Sequence, residues 1–243
     1  MKFFMDFRRF KKKLKKGAKC ILHMKKRILG NGNRLEIKTC NFRKINFLVD
    51  GEENSVFISE KTAIMNTKFL IEGNNNRITI GRECDVRNSE FKIHGDGCEI
   101  AIGSKNEIAS GPAVFCASGN GAKIKIGSGN QFAWGNLNLT AEGETILSVG
   151  DGCLFSHDVF VRTGDSHSIL DKETGERLNV ERSVSIGDRV WIAPFVRILK
   201  GASIKNDSVV GTGSIVTHPC SAGNVVIAGN PAKMVKENIV WKR

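Results

Sequence analysis

Isoleucine or valine recurs at every sixth residue from position 186 to position 216, and a second, usually smaller residue lies two positions ahead of each. Alternation at period two is typical of a β-strand with one buried face, and a corner must follow each strand this short. Three such units close one coil, and stacked coils bury a continuous core. The repeat therefore predicts an all-β solenoid of triangular section. The positions are Ile186, Ile192, Ile198, Ile204, Val210 and Val216, preceded by Val184, Val190, Val196, Ala202, Ser208 and Ser214.

A looser repeat precedes these hexads. Gly- and Asn-rich turns are followed by the triplets LEI, VFI, ITI, IAI, IKI and LSV, whose last residues are 21, 22, 22, 24 and 23 residues apart. A leucine-rich repeat has a similar period, but it requires a recurring LxxLxL pattern and an asparagine ladder. We find neither in the sequence, and such a repeat cannot produce the hexads. We therefore predict one solenoid over residues 30–230.

The hexads SIGDRV, WIAPFV, RILKGA, SIKNDS and VVGTGS, with the closing IAGNPAK at 227–233, resemble those of the hexapeptide-repeat acyltransferases. The resemblance is dense over residues 147–236 and looser over 30–146. It implies a left-handed parallel β-helix, an exception to the right-handed crossover rule. DSHSILD, followed by RLN, IGDRVWIA and ILKGA, is most similar to O-acetyltransferases of bacterial surface polysaccharides, sialic-acid capsule enzymes among them.

The repeat is interrupted once, at about residues 162–183. Val149 and Ile186 end successive triplets but are 37 residues apart instead of 21–24, so about fourteen extra residues leave one corner. A loop of this kind cannot enter the core of a solenoid, and long loops on rigid scaffolds tend to be functional. We therefore expect the interruption, which contains His167, to carry the active site.

The resemblance implies that His167 is the general base for direct transfer of an acetyl group from acetyl-CoA to a hydroxyl group in a ternary complex. An imidazole can accept a hydroxyl proton near neutral pH. Asp165 or Asp171 is expected to orient its other ring nitrogen. Trp191 is expected at the active site, covering the pantetheine arm or stacking on a sugar, or else packing on an adjacent subunit. His157 is interpreted as structural or substrate-contacting.

The acyltransferases of this family bind CoA in a groove between two parallel solenoids, which implies a homotrimer with three shared sites. Lys200 and Lys233 are expected near the phosphates and Pro231 near the adenine. The sequence departs from the family pattern at His218, which follows SIVT. No metal is expected, because the histidines are scattered and the seven cysteines are best explained as core residues in a reducing cytosol. The positions matched to CoA binding are Ser168, Ala193, Lys200, Gly211, Thr212, Pro231 and Lys233.

Residues 1–29 form a basic arm, with a net charge of +11 over residues 1–27 and a nearly neutral remainder. Apolar residues at three- and four-residue spacing from Phe3 to Ile28 predict an amphipathic helix. We interpret the arm as docking on acidic lipid headgroups or an acidic polymer, or as packing on the body or a sister subunit. The sequence has no apolar run long enough for a signal peptide or a membrane span, so we expect a cytoplasmic protein, peripheral at the inner membrane if the arm docks there.

The resulting hypothesis is an O-acetyltransferase acting on a bacterial cell-surface polysaccharide or its sugar units. Two enzymatic alternatives are N-acetylation of a nucleotide-linked amino sugar and O-acetylation of an antibiotic. The non-enzymatic alternative is a solenoid scaffold whose arm binds lipid or a polyanion. We expect an acidic polysaccharide or sugar as partner and no nucleic acid. Residues 231–243 are expected to form a C-terminal tail.

Overall fold

The computed structural model describes residues 24–39, 41–108 and 111–243. The regular secondary structure in these ranges consists of β-strands. The strands are β1 (Met24–Leu29), β2 (Arg34–Ile37), β3 (Phe42–Asp50), β4 (Ser55–Ile58), β5 (Ala63–Glu72), β6 (Arg77–Ile80), β7 (Asp85–Arg87), β8 (Ser89–His94), β9 (Glu99–Ile102), β10 (Glu107–Ile108), β11 (Ala113–Ser118), β12 (Lys123–Ile126), β13 (Gln131–Phe132), β14 (Leu137–Glu142), β15 (Ile146–Val149), β16 (Leu154–Phe155), β17 (Val159–Arg162), β18 (Val184–Ile186), β19 (Trp191–Ile192), β20 (Arg197–Ile198), β21 (Ser203–Ile204), β22 (Val209–Val210), β23 (Ile215–Val216), β24 (Val226–Gly229) and β25 (Ala232–Lys236).

These strands stack in parallel on three faces of a prism. Face one contains β7, β10, β13, β16, β19, β22 and β24. Face three contains β2, β4, β6, β9, β12, β15, β18 and β21. Face two is nine strands deep, from β1 through β3, β5, β8, β11, β14, β17 and β20 to β23, and β3 and β5 also extend onto face one. The prediction of an all-β parallel solenoid is confirmed, and its left-handed sense stays an implication of the resemblance.

A column of aromatic rings fills the core behind face two. Phe47, Phe69, Phe91 and Phe115 are fully buried, and successive ring centroids are 4.7, 5.1 and 5.0 Å apart with nearly parallel planes. Each ring lies one strand spacing from the next, because parallel pairing in register repeats the same inward position in every coil. Beyond Phe115 the same column continues with aliphatic side chains, namely Leu139, Val161, Ile198 and Val216.

Two corners of the longer coils are held by side chains that bond to the next coil. Asn54 N–H donates to Asn33 Oδ1 at 3.0 Å, and Asn76 N–H donates to Asn54 Oδ1 at 3.0 Å. At another corner, Asn130 N–H donates to Asn106 Oδ1 at 2.9 Å. An asparagine ladder is therefore present, although we expected none. Asn33, Asn54 and Asn76 each end one of the Gly- and Asn-rich turns of the looser repeat, so the recurring turns carried the signal for it.

The described cysteines are free thiols, and Cys84, Cys98 and Cys153 are buried at the same corners as the asparagines. Cys98 N–H donates to Asn76 Oδ1 at 2.8 Å, which makes this cysteine the next member of the ladder. Burial raises the pKa of the Cys153 thiol to about 11. Cys20 and Cys40 lie outside the described residues.

The N-terminal arm differs from the prediction where it is described. Met24–Leu29 is not helical but forms β1, which pairs in parallel with β3 and packs Met24 and Ile28 against the core. A spacing of four residues places two side chains on one face of a helix and also on one face of a strand, so the sequence pattern fits both. The solenoid therefore includes residue 24, whereas we predicted its start at residue 30. The predicted helix over residues 1–23 lies outside the described residues.

The last strand closes the solenoid. β25 pairs antiparallel with β24, whereas the other paired strands named above run parallel. The tail then returns along the prism, where Trp241 Nε1 donates to Arg189 O at 2.7 Å and Arg243 Nη2 donates to Cys153 O at 2.8 Å. Across the described ranges, no helix is long and apolar enough to cross a membrane.

Candidate active site

The loop of residues 163–183 leaves the solenoid where face two becomes narrower. β14 has six residues, β17 has four and β20 has two. The register of β14 with β17 ends at the pair Thr140 and Arg162, so Glu142 at the end of β14 has no strand residue beside it in the following coil. The loop covers the ledge that this difference creates.

Glu142 anchors the start of the loop. It is 8% exposed, and its carboxylate accepts hydrogen bonds from Ser166 N–H at 2.8 Å and Arg162 Nη2 at 2.5 Å. Arg162 Nη2 also donates to Ser166 Oγ. A Cβ on Gly164 would lie 2.6 Å from Glu142 Oε2, so only glycine allows the chain to pass this close. Beneath it, Thr163 Oγ1 accepts a hydrogen bond from Glu142 N–H at 2.8 Å.

Asn179 fixes the backbone at His167 and at Ile169, two residues further on. The imidazole of His167 is exposed, whereas Asn179 is only 8% exposed. Asn179 Nδ2 donates to His167 O at 2.8 Å, and its Oδ1 accepts from Ile169 N–H at 2.6 Å. His167 N–H donates to Asp165 O at 2.8 Å, which closes a tight turn. The buried amide thus sets the path of the chain that carries the histidine.

Asp165 has other partners than those we expected. Its carboxylate accepts from Lys200 Nζ at 2.5 Å and from Asn179 Nδ2 at 2.8 Å. The bond from Lys200 lowers the pKa of Asp165, and the Asn179 bond acts in the same direction against partial burial. Asp171 instead accepts backbone N–H groups of Glu173 and Thr174, which lower its pKa. Within the described ranges neither carboxylate bonds to the imidazole, so both act on the loop rather than on the ring.

Lys200, expected near a CoA phosphate, is drawn into the loop. Its side chain is 15% exposed, and its ammonium group donates to Asp165 and, at 2.9 Å, to Asn179 O. An ammonium group that already compensates a carboxylate has less positive charge to offer a phosphate. Lys200 is therefore placed to support the loop, whereas we predicted that it would contact a CoA phosphate.

Trp191 lies on face one, across the prism from the corner where the loop leaves. Its indole N–H donates to Ser156 Oγ at 3.4 Å, and its ring is 6.2 Å from that of Trp241 at an angle of 43°. Trp191 and His167 are therefore not brought together within one chain. We did not single out Trp241, because it lies 50 residues further along, outside the repeat.

The remaining CoA positions fall into two groups. Ala193, Gly211 and Thr212 follow face-one strands of successive coils, and Pro231 lies in the turn after the last of them, so all four line the corner between face one and face two. The N–H groups of Ala193 and Gly211 donate to Val210 O and Ile227 O within the solenoid, so these two donors are not free to bind a ligand. We call the corner surface formed by Ala193 and Gly211 the track. The exposed Lys233 follows in β25. Ser168 belongs to the loop at the other edge of face two.

A model of the bacterial transferase hexapeptide, a family defined by six repeats, matches residues 183–218. Residues 183–218 therefore carry the repeat that defines this family. The match covers the coils that follow the loop, from Ser183 through the last complete hexad.

Several curated relatives of this chain are O-acetyltransferases. The polysialic acid O-acetyltransferase of Neisseria meningitidis is 34% identical over 109 residues, which are 45% of this chain and 51% of the relative. The galactoside O-acetyltransferase of Escherichia coli K12 is 34% identical over 105 residues, 43% of this chain and 50% of the relative. The chain thus spans about half the length of these relatives.

Two solved structures share most of the fold. The polysialic-acid-specific acetyltransferase NeuO superposes with a TM-score of 0.63 at 27% identity, covering 91% of this chain and 88% of that one. The polysialic acid O-acetyltransferase OatWY gives a TM-score of 0.59 at 27% identity, with coverage of 91% and 92%. The likeness therefore includes the wide N-terminal coils as well as the hexads.

A groove on face two of this protein was not foreseen. It measures about 300 Å³ and lies beside the track of Ala193 and Gly211, with Asn138, Phe160 and Arg197 among its lining residues. All three are outward positions of strands, which the repeat leaves free to vary, so periodicity carries no signal for them. Within the described part of the chain, no three His, Cys, Asp or Glu side chains are grouped as metal ligands would be.

Proposed function

We propose that the protein transfers the acetyl group of acetyl-CoA to a hydroxyl group of a bacterial cell-surface polysaccharide or its sugar units. The observation that carries this proposal is the loop of residues 163–183, which holds His167 exposed on a hydrogen-bonded backbone. Its support comes from the two polysialic acid acetyltransferases that share the fold over most of their length. A polymer of sialic acid is therefore the first acceptor to test.

In this reaction His167 acts as the general base. The imidazole accepts the proton of the acceptor hydroxyl while the hydroxyl oxygen attacks the thioester carbonyl. The C–S bond then breaks, and the imidazolium returns the proton to the departing sulfur, so that CoA leaves as the thiol. General-base assistance contributes roughly 10²–10⁴-fold, and holding both substrates together contributes much of the rest. Asp165, Asn179 and Lys200 support the loop that positions the base.

The complete site would require a second copy of the chain. His167 lies at one edge of face two and the track of Ala193 and Gly211 at the other, separated by β17, whose four residues span about 13 Å. The loop also exposes four large aliphatic side chains by 50–61%, and a cluster of this kind is typical of an interaction surface. We propose a homotrimer in which loop and track meet between copies. The exposed side chains are Ile169, Leu170, Leu178 and Val180.

The basic arm has a role in the same proposal. A net charge of +11 over residues 1–27 attracts a polyanionic acceptor or an anionic membrane surface, and this attraction weakens with salt. The rest of the protein is nearly neutral, so removing residues 1–23 would test the arm while retaining β1.

A neutral sugar is the second candidate acceptor, because galactoside O-acetyltransferases are also among the relatives. Thiol release from acetyl-CoA, measured with polysialic acid and with a methyl galactoside, separates the two acceptors. Transfer to neither would contradict the proposal.

His167→Ala tests the assigned base. We expect kcat to fall by roughly 10²–10⁴-fold, because the hydroxyl proton loses its acceptor. His94→Ala is a matched control, since this exposed histidine pairs with Glu72 and lies two coils before Glu142 on the same edge of the prism, outside the loop. Equal turnover of His167→Ala and the unchanged protein would remove His167 from the mechanism.

A further inference from the structure

Three aromatic rings from successive coils meet at the corner between face one and face two. The rings of Trp134 and His157 are stacked, with centroids 5.1 Å apart and planes at 20°, and Phe195 meets His157 edge-on at 5.0 Å. We call these three residues the aromatic corner. Trp134 is 67% exposed and Phe195 is 51% exposed, which is unusual for side chains of this size in a folded protein.

The aromatic corner is held rigidly by its surroundings. His157 Nδ1 and Asp158 Oδ2 are 2.9 Å apart, and Asp158 Oδ1 accepts from Asn136 Nδ2 at 2.8 Å. A Cβ on Gly135 would lie 2.4 Å from His157 Cβ, so glycine is required for Trp134 to lie on the imidazole. One face of the indole is therefore fixed against His157, and much of the remaining ring surface is open to solvent.

A polar groove begins beside these rings. Asn136, Asp158 and Arg197 line the face-two groove of about 300 Å³. Arg197 Nη1 donates to Asp158 O at 2.8 Å, which holds the guanidinium in place, and an arginine has five N–H donors in all. An open aromatic face next to amide and guanidinium donors matches a sugar, which has an apolar C–H face and polar hydroxyl or carboxylate groups.

The aromatic corner also lies where an acceptor would be needed. It shares its edge of the prism with Ala193, which lies two residues before Phe195 in the same coil, and with Gly211 of the next coil. His157 belongs to the coil of β16 and β17, from which the His167 loop emerges. The track assigned to the acetyl donor thus ends beside the aromatic corner.

We propose that the aromatic corner binds a pyranose ring of the acceptor, with the open face of Trp134 stacked on the sugar and Arg197 and Asn136 holding its polar groups. This site deepens the proposed function and rests on it. A protein partner would need a larger apolar surface than two exposed rings bordered by Asp158, Asn136 and Arg197. A carbohydrate needs only one such platform.

Acceptor kinetics test the site. With a trimer of sialic acid and with a methyl galactoside as probes, Trp134→Ala is expected to raise the KM for the acceptor roughly three- to tenfold. The KM for acetyl-CoA should stay unchanged, and Trp134→Phe, which retains a ring, should have a smaller effect. Phe57→Ala is the matched control, because Phe57 is an outward aromatic residue on face three beside Lys38.

Three outcomes of these measurements would overturn the site. One is an unchanged KM for both sugars in Trp134→Ala. Another is a rise in the KM for acetyl-CoA instead, which would place the donor on Trp134. The third is a change of molecular mass in solution, which would show that a second copy of the chain covers the aromatic corner.

Saturation-transfer NMR separates this site from the proposed function. Transfer of magnetisation from the protein to sugar C–H protons, present in the unchanged protein and lost in Trp134→Ala, supports the site even if no acetyl group is transferred. Acetyl transfer without any such signal loss in Trp134→Ala leaves the proposed function standing and removes the site.

Discussion

The wide coils before residue 143 and the narrow hexad coils after residue 183 solve the same packing problem differently. The wide coils have face-two strands of six to ten residues, a column of phenylalanine rings and corners held by asparagines. The hexad coils have two-residue strands and an aliphatic core. A broad prism needs large side chains to fill its centre, whereas a narrow one is filled by isoleucine and valine.

The junction between the two regions is where the loop leaves. A wide coil stacked on a narrow one exposes a ledge, and the end of β14 would present unpaired polar groups there. Instead, the N–H group of Glu142 donates to Thr163 Oγ1, and its carboxylate accepts a hydrogen bond from Ser166 N–H. The change of coil width therefore provides both the space and the anchor for the candidate active site.

The largest expected effect is on the free energy of unfolding, and it compares the phenylalanine part of the core with its aliphatic continuation. Phe91→Ala removes a ring that stacks on both Phe69 and Phe115, and it should lower the free energy of unfolding by about 3–5 kcal/mol. Val161→Ala, in the same column at the junction, removes less volume and should cost about 2 kcal/mol. Urea unfolding measures both. Equal losses would contradict the difference in core filling.

The second effect concerns the ledge. Glu142→Ala removes the buried carboxylate that accepts hydrogen bonds from the half-buried Arg162 and from Ser166 N–H of the exposed loop, and we expect a loss of about 1–3 kcal/mol together with faster proteolysis within the loop. Glu90→Ala removes the partner of Lys68 and Lys92 on a regular wide coil, where an exposed pair contributes about 0–1 kcal/mol. Similar stability and proteolysis in both variants would mean that the junction is not special.

The smallest effect is a dependence of loop order on pH. The hydrogen bond from Lys200 lowers the pKa of Asp165 in the folded protein, so this contribution is complete above the ordinary pKa of aspartic acid, about 3.9. It is lost as the pH falls through the lowered value. The protection of residues 163–183 from amide hydrogen exchange, relative to the intrinsic rate at each pH, should therefore fall at acidic pH, and Asp165→Asn should already be weakly protected at neutral pH. Slow exchange in that variant at neutral pH would rule out this contact as a support of the loop.

Several features of the site could not be predicted, for identifiable reasons. The contacts of Lys200 with Asp165 and of Trp241 with Trp191 join residues 35 and 50 positions apart. The loop follows no period, so nothing in its sequence shows which side chains meet. The strand Met24–Leu29 was taken for a helix because its apolar spacing fits both structures.

The solenoid, the inward positions of every hexad and the place of the interruption follow from the amino-acid sequence, because a period of six residues is a local property that needs no knowledge of distant contacts. The tertiary structure sets which corner each residue occupies. It placed His167 at one edge of face two, and it placed the aromatic corner with the Ala193 track at the other edge. Stacked coils bring together residues that are about twenty positions apart in the sequence. The width of each coil depends on side chains packed across the whole prism, and the change in width creates the ledge beneath the loop.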